Sequence, residues 1–122
     1  GLGLGNLDQL AFAGTAAMAQ GDGESITVNL DVGHFTAANH DAVAYLRRHH
    51  EQITTVHLKD RKRNQGANVP WGEGDAPLEE VLHMLRDEQW DIPANIEYEY
   101  RGDDTVEEVR RCFDYCRRVL EA

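Results

Sequence analysis

Apolar and polar residues alternate in three separate stretches of the chain. In ITVNLDVGH, Ile26, Val28 and Leu30 share one face while Thr27, Asn29 and Asp31 share the other; in ANIEYEY, Ile96, Tyr98 and Tyr100 oppose Asn95, Glu97 and Glu99. A period of two predicts half-buried strands, here about Ile26 to Leu30, Thr54 to Leu58 in ITTVHLKD, and a third after Pro93. Between them the period lengthens to that of a helix. One helix is predicted from about Asn39, read as its N-cap, to Gln52, and another with Pro77 in its first turn and Leu78, Val81, Leu82 and Leu85 as its apolar stripe. That second helix ends near Trp90 and Asp91. After RGDD, a last helix is predicted with Val106, Val109, Phe113, Cys116 and Leu120 on its buried side.

The ends of the chain and the middle loop carry weaker signals. Leu7, Leu10, Ala11 and Met18 recur at helical spacing, which predicts a helix that Gly14 weakens, followed by a turn at GDGES. Lys59 to Ala76, with Pro70 and three glycines, reads as a long loop of the kind that carries function in compact units.

Strands alternating with helices imply a parallel sheet with right-handed crossovers. A β/α barrel would turn the apolar face of such strands outward to helices and the polar face inward, with its chemistry at the C-terminal strand ends. Asp31, His57 and Glu97 stand near such ends. A complete eight-stranded barrel takes roughly 250 residues, and 122 residues hold three recognisable strand-helix units. The fold class read from the pattern is therefore α/β, a partial (β/α)8 TIM barrel of about three to four C-terminal βα units. Residues 1–24 form an N-terminal helix and turn, a remnant of a preceding βα unit, and residues 25–122 the C-terminal half of the barrel. The chain begins with Gly1 rather than Met, which adds to the expectation that an upstream part is missing.

Composition narrows the functional classes. Hydrophobic residues at 41% and charged residues at 28% fit an ordinary soluble globular domain. No apolar run reaches transmembrane length, so no membrane partner is expected. A formal net charge of −10 opposes a large nucleic-acid interface, because phosphates would be repelled over most of the surface. The first basic residue is Arg47, so the Ala-rich opening lacks the positive region of a signal peptide. Cys112 and Cys116 lie four apart in a helical pattern, as buried apolar thiols rather than a disulfide framework or zinc cluster, which favours a reduced, cytoplasmic location. GLGLG follows no strand and is not a dinucleotide fingerprint.

Two carboxylates and an imidazole converging from adjacent strands offer hard oxygen and borderline nitrogen donors, a set suited to a divalent metal, Mn²⁺, Mg²⁺, Co²⁺ or Zn²⁺. A lone Asp or His at a strand end is more often a helix cap or a solvated loop residue; three at equivalent ends are harder to explain so. Glu99 shares a face with Glu97 and is an alternative ligand. The run LKDRKR places Lys59, Arg61, Lys62 and Arg63 just after His57, where they hold a phosphate or carboxylate or else serve as a solvated loop that offsets nearby acids. Trp71 in PWGEGD either stacks on a sugar face or packs against its own domain. His40, His49, His50 and His83 fall in helices or their caps, with ordinary surface or packing roles.

LDVGHF, VHLKD, PWGEGD and NIEYE, in that order over roughly Ile26 to Leu120, resemble the xylose-isomerase-like barrels, a family that includes sugar-phosphate isomerases, ketose 3-epimerases and inosose dehydratases. The resemblance implies that Asp31 and His57 are metal ligands, and that Glu97 is both ligand and catalytic acid-base carboxylate. It places His34 against a substrate oxygen and Arg63, six residues after His57, in the position of a substrate-binding arginine. The implied activity is isomerisation or epimerisation of a sugar or sugar phosphate, by proton abstraction next to a carbonyl through a metal-stabilised enediolate.

Family members typically pair two glutamates on opposite faces of the substrate, the second from a strand before the Asp-x-x-His strand, and this sequence has no such glutamate. Related barrel endonucleases need a further Asp-x-His pair, where Val69, Pro70 and Trp71 stand instead. The alternative reading is a non-catalytic half-barrel that works as a binding or assembly module. Its partner would be the missing N-terminal half-barrel or a second copy in a homodimer, since open sheet edges favour association. In the first reading this chain alone is expected to be inactive.

Overall fold

The computed structural model describes residues 10–12, 19–21, 26–97, 100 and 104–122. In chain order the elements are β1 (Leu10–Phe12), β2 (Ala19–Gly21), β3 (Ile26–Asp31), α1 (Val32–Ala37), α2 (Ala42–His49), a 3-10 turn (His50–Gln52), β4 (Ile53–Leu58), β5 (Asp60–Arg61), β6 (Asn68–Val69), α3 (Leu78–Glu88), β7 (Ala94–Ile96) and α4 (Thr105–Glu121). Among the described residues, five strands form one sheet in the order β1-β7-β4-β3-β2, and β5 with β6 forms a separate antiparallel pair. The central strands β3, β4 and β7 run parallel, with Asp31 opposite His57 and His57 opposite Asn95. β1 also runs parallel to β7, whereas β2 lies antiparallel to β3; the parallel strands β3, β4 and β7 are those of a partial barrel.

The period of two now has a physical meaning. Leu30, Val56, Leu58, Ala94 and Ile96 are fully buried in the apolar core, while the residues between them face the other side of the sheet. Against that core lie Ala42 and Leu46 of α2, Leu78, Val81, Leu82 and Leu85 of α3, and Cys112 and Cys116 of α4. Each buried aliphatic side chain contributes about 1.5–3 kcal/mol. The helices touch in chain order, α1 with α2, α2 with α3 and α3 with α4, as the wall of a barrel requires.

Several boundaries differ from the sequence reading, each for a local reason. Leu10–Phe12 and Ala19–Gly21 are strands, where a helix and turn were expected over 1–24; β1 pairs with β7 and β2 with β3. Sheet pairing there outweighs a helical pattern already weakened by Gly14; the other residues of that segment lie outside the described ones. Asn39 does not cap a helix. It sits at φ 64°, a region that Asn tolerates, and its side chain accepts from Asn64 N at 2.9 Å. The cap of α2 is Asp41, accepting from Ala44 N at 3.0 Å. An unforeseen short helix, α1, follows β3 directly because Asp31 caps it, accepting from His34 N at 2.8 Å.

The loop after His57 contains the β5–β6 pair. In α4 the buried stripe is Glu108, Cys112, Cys116 and Val119. It is rotated from the expected one, leaving Val106 70% exposed. The reason is Glu108: Tyr100 Oη donates to it at 2.7 Å and Arg111 Nη1 at 2.7 Å, so a satisfied carboxylate takes an inward position that hydrophobicity alone assigns to valine.

Candidate functional site

Parallel pairing brings the C-terminal ends of β3, β4 and β7 side by side. Asp31 ends β3, His57 is the penultimate residue of β4, and Glu97 follows β7, its N–H bonded to Leu58 O at 2.9 Å. All three expected residues lie on the face opposite the apolar core and are 1%, 3% and 0% exposed. His57 Nδ1 and Glu97 Oε1 are 2.8 Å apart. Glu99 lies outside the described residues.

A fourth member completes the cluster. Lys59, two residues after His57 and so on the same strand face, is 2% exposed, and its Nζ lies 3.3 Å from Asp31 Oδ2 and 3.0 Å from Glu97 Oε2. The stem of Lys59 needs room, which Gly33 gives: a Cβ at position 33 would collide with Lys59 Cγ. Asp31 Oδ2 and Glu97 Oε2 are both buried with no backbone or hydroxyl donor against them, so each depends on the Lys59 ammonium, which at 3.0 Å is within hydrogen-bond reach of Glu97 Oε2. The other buried polar atoms of this kind among the described residues, Asn68 Oδ1 and Trp71 Nε1, belong to the loop.

Burial pushes the Asp31 carboxyl above its ordinary range, against the opposing pull of the His34 N–H and the Lys59 ammonium. For Glu97 the balance falls the other way. Burial raises it, but the hydrogen bond with His57 and the contacts with Lys59 together outweigh burial and hold it below the usual carboxylate range. Glu97 is thus held in its ionised form at neutral pH.

The remaining candidates are distributed unevenly. His34, in the first turns of α1, keeps its side chain 40% exposed and sets Nε2 at 3.6 Å from Asp31 Oδ2 and 3.3 Å from Lys59 Nζ. Arg63 is exposed and lines a separate cleft with Asn39, Asn64 and Asp75; only its backbone is engaged there, N donating to Asp75 Oδ2 at 2.9 Å. Trp71 packs edge-on against Tyr115, ring centroids 5.8 Å apart. The guanidinium beside the cluster is that of Arg61, with Nη1 at 2.8 Å from His34 Nδ1.

Sequence spacing favoured Arg63 over Arg61. The signal for Arg61 is its place on β5, turned back by the β5–β6 pair toward α1. Asp60 was also missed. Its carboxylate takes N–H bonds from Gly72 at 2.9 Å, Gly74 at 3.0 Å and Ala76 at 3.0 Å, and a Cβ on Gly74 would strike it. The glycines of PWGEGD thereby gain a reason: the backbone must come close to a buried acid.

Two buried carboxylate oxygens that share one ammonium, beside an imidazole, are donors that a hard or borderline divalent cation accepts. In the arrangement described, the Lys59 ammonium stands between those oxygens. Among the described residues, no three His, Cys, Asp or Glu side chains are grouped as a metal-binding set.

Residues 7–118 match the family of the xylose isomerase-like TIM barrel, and the chain belongs to it. Over 88 residues it is 30% identical to L-ribulose-5-phosphate 3-epimerase UlaE of Escherichia coli, covering 71% of this chain and 31% of that protein. A putative L-ribulose-5-phosphate 3-epimerase UlaE of Shigella dysenteriae matches to the same extent, 30% over 88 residues. The solved structure of a sugar phosphate isomerase/epimerase from Parabacteroides distasonis shares the fold at a TM-score of 0.57 and 24% identity, over 71% of this chain and 29% of that one. The chain spans about a third of the length of the curated relatives it matches, 31%. The family relation read from LDVGHF, VHLKD, PWGEGD and NIEYE is borne out, and these relatives are sugar-phosphate isomerases and epimerases. Among the described residues, no helix is long and apolar enough to cross a membrane.

Proposed function

We propose that the chain supplies three strand ends of a divalent-metal-dependent sugar or sugar-phosphate isomerase or epimerase. The observation that carries this reading is the pair of buried carboxylate oxygens, Asp31 Oδ2 and Glu97 Oε2, which share a single ammonium. Burying two carboxylates against one cation is costly unless a ligand completes the set. Asp31, His57 and Glu97 would hold the metal, Mn²⁺, Mg²⁺, Co²⁺ or Zn²⁺. When bound, it would supply Lewis acidity toward a carbonyl oxygen.

The residues of the chain do the rest. Glu97, ionised at neutral pH, takes the proton from the carbon next to the carbonyl and returns it; the electron pair of the broken C–H bond moves into an enediolate. His57 orients that carboxylate through its 2.8 Å contact with Oε1, and the other oxygen, Oε2, lies against Lys59. Lys59 and His34 face the developing negative oxygen. A sugar phosphate is the substrate class that the UlaE relatives suggest, with the rest of its pocket contributed by the remainder of the barrel.

Calorimetry with Mn²⁺ tests the metal. Asp31→Ala or His57→Ala is expected to abolish tight binding, and unchanged affinity removes both from the site. Exchange of the substrate's C–H hydrogen in D2O tests the chemistry, on the chain alone and combined with the N-terminal part of an E. coli relative. Exchange that needs Mn²⁺ and disappears in Glu97→Gln is expected; exchange that survives Glu97→Gln overturns the role of Glu97.

A second reading is favoured by one observation: Lys59 already occupies the space between the acids, and no ready three-donor group exists among the described residues. In that reading the cluster is a closed ion network within a non-catalytic half-barrel, whose partner is a missing half or a second copy. A chain that binds no divalent cation and forms a stable dimer by light scattering would support it.

A further inference from the structure

Arg61 sits outside the strand-end acids and touches one of their neighbours in a way that restricts where a proton can be. Its guanidinium is anchored twice on one carbonyl, Nε at 3.0 Å and Nη2 at 2.9 Å from Gly66 O. The remaining arm, Nη1, lies 2.8 Å from His34 Nδ1. Arginine stays protonated in proteins and only donates, so at this distance Nδ1 must carry a lone pair. The ring must hold at least one hydrogen, which leaves it on Nε2. Lys59 Nζ, 3.3 Å from that same nitrogen, is another obligate donor; the two cations compete for the one lone-pair nitrogen of the ring, and the shorter contact, to Arg61 at 2.8 Å, takes it. The nearest acceptor, Asp31 Oδ2, is 3.6 Å away, longer than a hydrogen bond.

We infer that Arg61 is a positioning residue that holds the proton of His34 on Nε2, so that a half-exposed imidazole presents an N–H donor beside the Asp31–Lys59–Glu97 cluster. The ligand group it suits is an oxygen with lone pairs and no hydrogen to give, a carbonyl or an alkoxide, rather than a hydroxyl that must donate. The use of this donor by a sugar rests on the proposed function; the tautomer does not. A nitrogen's partner on the far side of the ring is what selects the tautomer.

Long-range proton–nitrogen correlation spectra of the 15N-labelled protein, recorded at about pH 8 where imidazoles are neutral, read this directly. His34→Gln identifies the His34 signals. The expected result is an unprotonated Nδ1 and a protonated Nε2 in the native protein, a shift of the Nδ1 resonance toward the protonated position in Arg61→Met, and partial return in Arg61→Lys, which keeps a donor. A native His34 protonated at Nδ1 overturns the inference even if Arg61→Met fails to fold, and so does an Arg61→Met spectrum with His34 unchanged. The two proposals fail separately: the Nε2–H tautomer in a protein without hydrogen exchange on any sugar sinks only the enzymatic reading, and exchange with the opposite tautomer sinks only this one.

Discussion

Asp60 and Glu97 are both buried carboxylates at strand ends, 2% and 0% exposed, yet their surroundings treat them oppositely. Asp60 receives three backbone N–H groups, from Gly72, Gly74 and Ala76. Glu97 Oε2, like Asp31 Oδ2, receives none. A buried acid whose lone pairs are filled by the backbone has become part of the fold. Glu97 is held instead by side chains, His57 at Oε1 and Lys59 at Oε2. The lesson is that burial alone does not distinguish the two acids; the kind of donor that fills their acceptor positions does.

Four substitutions or conditions test this contrast. The largest loss of stability is expected from Lys59→Met, which leaves two buried carboxylates without their counter-ion: about 3–5 kcal/mol by urea unfolding, regained in part on adding Mn²⁺ if the acids can hold a cation. A loss under about 1 kcal/mol would mean that the ammonium does not neutralise the acids. Asp60→Ala should follow at about 3 kcal/mol, since bonds to a charged group are worth about 1.5–3 each and water replaces some of them. Mn²⁺ should restore nothing there.

Glu97→Gln is expected to change stability by no more than about 1 kcal/mol, because one carboxylate against one ammonium remains a balanced pair. If it matched Asp60→Ala, the contrast between the two acids would collapse. The smallest effect lies away from both. Burial pushes the Cys112 thiol up from 9.0 to about 11 and the Cys116 thiol up to about 12. Below their ordinary value both forms of the chain hold the proton. As pH rises past 9.0 the unfolded chain ionises first, so the thiol contribution is present at neutral pH and is lost as pH climbs toward 11 and 12. Melting temperatures that stay level up to about pH 10 would contradict this.

Much of the site was legible from alternation alone. Two-residue periodicity decides which side of a strand a residue takes, and parallel pairing then carries Asp31, His57 and Glu97 to adjacent ends. The stripe Leu78, Val81, Leu82 and Leu85 was equally plain, because four aliphatic residues at helical spacing leave α3 one way to face. What escaped were effects that depend on a distant partner. Arg61 rather than Arg63 meets His34 because β5 and β6 pair, a contact between Arg61 and Asn68 that no local pattern announces. Val106 lost its inward place to Glu108 because Tyr100 and Arg111 satisfy that acid. At Asp31 the two competing expectations, helix cap and cluster member, both hold: Oδ1 caps α1 and Oδ2 faces Lys59.

The fit of Lys59 against Gly33 also constrains the order in which these positions can change. A side chain at 33 is blocked while the lysine stem lies there, so Gly33→Ala in the present background should be harmful. With a short residue at 59 the same replacement still meets the carbonyl of residue 59, at 3.1 Å, but should cost less, a non-additive pair in the ordinary sense. Two neighbouring genotypes are then open to the chain by one route and closed by the other. A lineage that kept the lysine would be held to glycine at 33.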